Sequence, residues 1–166
     1  MFWGGIVIIE HELGDIFIKV PAMADVEKIA NVLEMAIEKE IEAYRFYYSV
    51  AELISDKIGR DVFQQMANDE IKHRQRLELE IMKLGKTLKN QEDITIDVEV
   101  EPGFDLSYKE ALIMGIQKED ASFQLYIQAM ISTGDLELRE VFMRLAEEEV
   151  RHKVKFEIEY NRLMVK

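Results

Sequence analysis

Two short stretches of this chain, DEIKH at 69–73 and EEVRH at 148–152, each set a glutamate three residues before a histidine. On a helix, positions i and i+3 share a face, so Glu70 would project beside His73 and Glu149 beside His152. Thirty residues before each of these glutamates stands another, Glu40 and Glu119. All six fall on the apolar faces of predicted helices. An ionised carboxylate in an apolar core is costly unless it is paired or bound to a metal. Two Glu-x-x-His pairs, with one further Glu from each of two other helices, form the set that holds two metal ions inside a helical bundle. Carboxylate oxygens and imidazoles suit iron or manganese, whereas copper(I) prefers thiolate or thioether ligands. Four carboxylates balance the charge of two divalent ions.

Helical periodicity must position these groups, and it begins after Pro21. The three- and four-residue steps of Ile29, Leu33, Ala36, Ile37, Glu40, Ala43, Tyr47, Val50, Ala51 and Ile54 predict a first helix over about 24–54. A second is predicted from about Gly59–Asp61, with Phe63, Met66, Ala67, Glu70, His73, Leu77, Ile81 and Leu84 inward and Gly85 as its stop. Ser107, with Glu110 three residues on, makes a capping box for a third helix ending near Thr133-Gly134. The fourth is predicted over about 136–163, facing inward with Leu138, Phe142, Leu145, Glu149, His152, Phe156 and Tyr160.

The halves repeat. Shifted by 79 residues, VFQQMANDEIKHRQRLELE at 62–80 lies over VFMRLAEEEVRHKVKFEIE at 141–159 without a gap. Glu40 lies over Glu119, Tyr47 over Tyr126 and Asp56 over Asp135. A helical hairpin used twice predicts an all-α four-helix bundle over 23–166. Ser55 is the midpoint between Glu40 and Glu70, and Gly134 that between Glu119 and Glu149. Equal arms about each turn would put all four carboxylates at one height. The connection at about 86–106 is long enough to return the chain along the bundle. In it, Ile94, Ile96, Val98 and Val100 alternate with polar residues at a strand period. Residues 1–22 also read as an extended segment or β-hairpin, so a small β element from the two is expected.

Composition narrows the chemistry. The 166 residues contain no cysteine, which excludes thiolate metal sites, iron–sulfur clusters, disulfides and a thiol nucleophile. A net charge of −12 disfavours nucleic acid and anionic membrane surfaces as partners. No run approaches the length of a spanning helix, and the N-terminal stretch lacks a positively charged leader region, so a cytoplasmic protein is expected.

Other polar residues could support the six. Ligand histidines usually donate their second N–H to a carboxylate. Asp69 is assigned to His152 and Glu148 to His73, the alternative being that both are solvated surface acids. Tyr47 and Tyr126, two turns beyond Glu40 and Glu119, could donate to a ligand carboxylate as catalytic residues, or serve as plain core aromatics. His11, between Glu10 and Glu12, reads as exposed and not a ligand.

These segments, with EIEAYRFYYSVA at 40–51, ANDEIKH at 67–73, EDASFQLY at 119–126 and AEEEVRH at 146–152, resemble the ferritin-like di-iron carboxylate superfamily, and most closely its rubrerythrin branch. The resemblance spans about 24–163 and implies a ferritin-like bundle with one long crossover. It implies two iron ions, with manganese as the other candidate, held by Glu40, Glu70 and His73 in one half and Glu119, Glu149 and His152 in the other, Glu70 and Glu149 bridging. Two departures matter. Rubrerythrins carry a four-cysteine rubredoxin-like domain, so the cysteine-free chain would need an external electron donor such as a rubredoxin-like protein. They also carry a further carboxylate three residues after the first on the third helix, where this chain has Ser122.

Three functions follow from these features. The first is a di-iron oxidoreductase reducing peroxide or O₂. The second is a ferroxidase that stores iron in a cage. The third is a non-catalytic helical bundle, metal-stabilised or metal-free, that serves as an interaction module. A homodimer or larger homo-oligomer is expected.

Overall fold

The computed structural model describes residues 23–88, 94 and 106–165, with the backbone alone for residues 23–25. The expected β element and His11 lie outside the described residues. Four helices account for the rest: α1 (Met23–Leu53), α2 (Lys57–Lys83), α3 (Tyr108–Ser132) and α4 (Leu136–Met164).

The caps follow the repeat. The Asp56 side chain accepts from the Gly59 amide at 2.7 Å, and that of Asp135 from the Leu138 amide at 3.0 Å. Asp56 therefore starts α2 two residues earlier than the helical periodicity alone suggests. Its repeat partner Asp135 was the signal for this, because both aspartates stand immediately before their helices. The Ser107 hydroxyl accepts from the Glu110 amide and donates to the Glu110 carboxylate at 2.5 Å, closing the expected box. Gly85, at φ +69°, takes the left-handed conformation that ends α2.

α1 packs along α2 and α3 along α4, and the two hairpins meet through α1 against α3 and α2 against α4. The Leu106 amide donates to the Leu53 carbonyl at 3.1 Å, which puts the start of α3 beside the end of α1. The crossover therefore carries the chain back along the bundle, and α3 runs antiparallel to α1.

Two apolar layers fill the interior. One holds Leu33, Leu77, Ile81, Tyr126, Phe142 and Leu145, and the other Tyr47, Ile54, Phe63, Met66, Leu112 and Phe156. Each is built by all four helices. Truncating one of these aromatics to alanine would cost about 3–5 kcal/mol. Gly115 makes room for Phe156, whose ring edge would lie 2.8 Å from an added Cβ. At the equivalent places in the first hairpin stand Ala36 and the smaller Leu77.

Candidate metal centre

Between the two apolar layers lies a polar one. Glu40 comes from α1, Glu70 and His73 from α2, Glu119 from α3, and Glu149 and His152 from α4. The first five are buried, and the His152 side chain is 11% exposed. Glu40, Glu70, His73 and Glu149 bring one ligand atom each within 4.8 Å of one another, as do Glu70, Glu119, Glu149 and His152. Glu70 and Glu149 belong to both groups.

Each histidine turns Nδ1 inward. His73 Nδ1 lies 3.3 Å from Glu40, 3.4 Å from Glu70 and 3.1 Å from Glu149. His152 Nδ1 lies 3.6 Å from Glu119 and 3.7 Å from both Glu70 and Glu149. The rings stack, with centroids 5.5 Å apart. Their Nε2 atoms point outward, that of His73 to Glu148 at 2.8 Å and that of His152 toward Asp69 at 3.7 Å. Glu148 also accepts from Arg76 at 2.6 Å, and Asp69 from Lys72 at 2.6 Å. Arg76 gave no signal in the sequence, because its partner lies on another helix.

The tyrosines reach across the hairpins. The Tyr47 hydroxyl donates to Glu119, and that of Tyr126 to Glu40. Ser122, in the position of the missing carboxylate, is half-buried on α3.

Seven buried atoms of this layer lack a hydrogen-bond partner among the described residues: Glu40 Oε2, Glu70 Oε1, His73 Nδ1, Glu119 Oε2, both Glu149 carboxylate oxygens and His152 Nδ1. Buried polar atoms are rarely left so. These seven face one another, and every one is a lone-pair donor to a metal. The electrostatics agree. Burial, together with the neighbouring carboxylates, pushes Glu40 well up and Glu119 to about 9. Burial opposes charge on the histidines, but the surrounding carboxylates outweigh it and hold His73 well up and His152 at about 10. Burial also works against the Glu149 anion, yet its contacts with Glu119 and the two histidines keep it below the usual range. Without metal, the cluster would hold protons where cations would otherwise sit. The cluster fits two metal ions.

The rubrerythrin family profile matches residues 31–160. The chain belongs to the rubrerythrin family. Among solved structures, this rubrerythrin-family chain is similar to a hypothetical protein from Pyrococcus furiosus, with 21% identity over 84% of this chain and 95% of that one, at a TM-score of 0.63. It is similar to a dodecameric thioferritin, the bacterioferritin-related protein of Bacteroides fragilis, with 18% identity over 84% and 88% of the two chains, at a TM-score of 0.67. A bacterioferritin from Rhodobacter capsulatus with a metal-free dinuclear site shares 19% identity over 81% and 84%, at a TM-score of 0.65. These likenesses place the fold among ferritin-like bundles. No curated protein sequence matches the chain. Among the described residues, no helix is long and apolar enough to cross a membrane.

Proposed function

We propose that the chain is a di-iron oxidoreductase that reduces peroxide or O₂ at the layer between its two apolar cores. The observation that supports this best is the set of seven orphaned, mutually facing ligand atoms. Glu40 and His73 would serve one ion, Glu119 and His152 the other, and Glu70 and Glu149 both. Bound iron, or manganese in its place, would supply two electrons to an O–O bond, one from each ion.

The chain's own residues prepare the site for this. Tyr47 and Tyr126 orient the free oxygens of Glu119 and Glu40 inward by bonding the outer ones. Burial, followed by the charge of Glu119 and its neighbours, raises the Tyr47 hydroxyl well above its ordinary value, so it stays a proton donor. Glu148 fixes the proton of His73 on Nε2 and leaves Nδ1 free as a ligand. The apolar layers on either side exclude water. Electrons to restore the ferrous state would come from an external donor such as a rubredoxin-like protein, in a cytoplasmic setting.

A second reading is favoured by the symmetric set of four carboxylates and two histidines, and by the likeness to bacterioferritin and thioferritin folds: a ferroxidase that stores iron in a homo-oligomeric cage. Anaerobic loading with ferrous ion, followed by rapid mixing with peroxide or with O₂, tests both. Turnover sustained by a reductant, with iron held at two ions per chain, supports the oxidoreductase. Accumulation of iron beyond two per chain in a particle of many subunits supports storage. Failure to bind ferrous ion overturns both.

A further inference from the structure

The repeat makes the two halves of the centre comparable residue by residue, and one pair of equivalent positions differs by a methylene. Shifted by 79, Asp69 falls on Glu148. Each sits one residue before a shared glutamate and each faces the histidine of the other hairpin. Glu148 reaches His73 Nε2 at 2.8 Å, a full hydrogen bond, whereas Asp69 stops 3.7 Å from His152 Nε2. The anchors differ as well. Glu148 is held by the Arg76 guanidinium at 2.6 Å with Arg151 at 3.8 Å, and Asp69 by the exposed ammonium of Lys72. The position equivalent to Arg76 is Lys155.

The difference continues inward. His73 Nδ1 lies 3.1–3.4 Å from its three carboxylates, and His152 Nδ1 lies 3.6–3.7 Å from its own. The His73 side chain is 1% exposed, and that of His152 11%. One half is closed and drawn together. The other is wider and open at its edge.

We propose that the two halves bind metal unequally: the Glu40–His73 half takes the first ion tightly, and the Glu119–His152 half holds an exchangeable second ion that enters and leaves past His152. This rests on the proposed metal ligands and deepens that reading. The Glu148 bond fixes the tautomer and ring of His73 before metal arrives. His152 lacks an equivalent bond and must be ordered, and brought inward, when its ion binds. Such outer partners are worth about 10- to 100-fold in metal affinity.

The test is an equilibrium titration of the metal-free full chain with cobalt(II), a redox-silent probe under these conditions, read by its visible absorption and by chelator competition. The wild type should fill in two steps at least about tenfold apart. Repulsion between two cations would also separate the steps, so the variants decide. Asp69→Glu supplies the missing methylene and should tighten the second step by about tenfold while leaving the first in place. Glu148→Asp should weaken the first step. Both changes keep charge, and circular dichroism checks that each variant is folded. Filling in a single step, or a second step that Asp69→Glu does not tighten, overturns the proposal while leaving the metal site itself intact. Failure of the wild type to bind cobalt(II) at all overturns the site reading and this proposal with it.

Discussion

The Tyr47 hydroxyl donates to Glu119, a residue 72 positions away in the other helical hairpin. Its repeat counterpart, Tyr126, returns the bond to Glu40 in the first hairpin. Each hairpin thus orients a carboxylate of its partner, so neither half of the polar layer is complete alone.

Removing one of these donors leaves a buried carboxylate oxygen without its partner. Tyr47→Phe should destabilise the metal-free protein by about 1–3 kcal/mol, and Tyr126→Phe by a similar amount. The two bonds share one coupled cluster, so the double variant should depart from additivity. Urea unfolding at fixed pH, with chelator present, measures all three. A neutral Tyr47→Phe would remove the bond from the ledger of the fold.

The metal-free protein should lose stability as pH rises from about 5 to 10. Folded Glu119 keeps its proton up to about 9 and folded His152 up to about 10, whereas the unfolded chain gives them up near 4.5 and 6.5. These contributions are fully present below the unfolded values and lost as pH rises through the folded ones. Glu148 works in the opposite sense. Contact with His73, aided by Arg76, holds it down at about 2, so its contribution is lost as pH falls below 4.5. Metal at pH 7 must displace the retained protons. Binding should therefore release protons, tighten as pH rises and raise the melting temperature. Calorimetry in buffers of different ionisation enthalpy gives the proton count. A melting curve indifferent to metal would favour the non-catalytic bundle.

Glu70→Ala and Glu149→Ala should each abolish tight binding of two ions. Each of these residues belongs to both ligand groups, so its loss opens both. Elemental analysis of protein loaded with ferrous ion without oxygen and then desalted would show it. Two ions retained per chain would displace either residue from the assignment.

His73 should stay a ligand in both ferrous and ferric states. Ser122 stands where a second α3 carboxylate could compete with it, and serine is too short and too weak a ligand to do so. Glu148 also holds His73 from behind. Crystal structures of the two states would decide this, and departure of His73 on oxidation, with Asp120 or another carboxylate in its place, would refute it.

Gly115→Ala should destabilise the bundle by about 1–3 kcal/mol, because its Cβ would meet the Phe156 ring. Adding Phe156→Leu should recover much of this loss, since it copies the Ala36 and Leu77 combination of the other hairpin. Thermal melts of the single and double variants provide the comparison.

The four helices were legible because their buried faces repeat at helical spacing and the halves repeat each other. The polar layer was legible for a related reason: Glu40, Glu70, Glu119 and Glu149 interrupt otherwise apolar stripes. Asp56 was harder to read, since a cap acts through one side-chain oxygen and leaves no periodic trace. Arg76 was not legible at all. What it does depends on which acid of a neighbouring helix comes within reach, here Glu148 on α4, and that is set by the bundle geometry rather than by local pattern. The one-methylene difference between Asp69 and Glu148 was visible in the letters, but its consequence was a distance and needed coordinates.

The crossover joins two hairpins that could, in principle, have met as separate identical molecules. Two identical chains related by a dyad must place the same residue at both equivalent positions. They could offer aspartate twice or glutamate twice, and arginine or lysine likewise. A single covalent chain is free of that constraint. Asp69 opposite Glu148, and Lys155 where the other half has Arg76, are choices open only to a fused pair. The long connection of residues 86–106 therefore does more than close the bundle: it allows the two ends of one cofactor site to be mutated, and so tuned, independently.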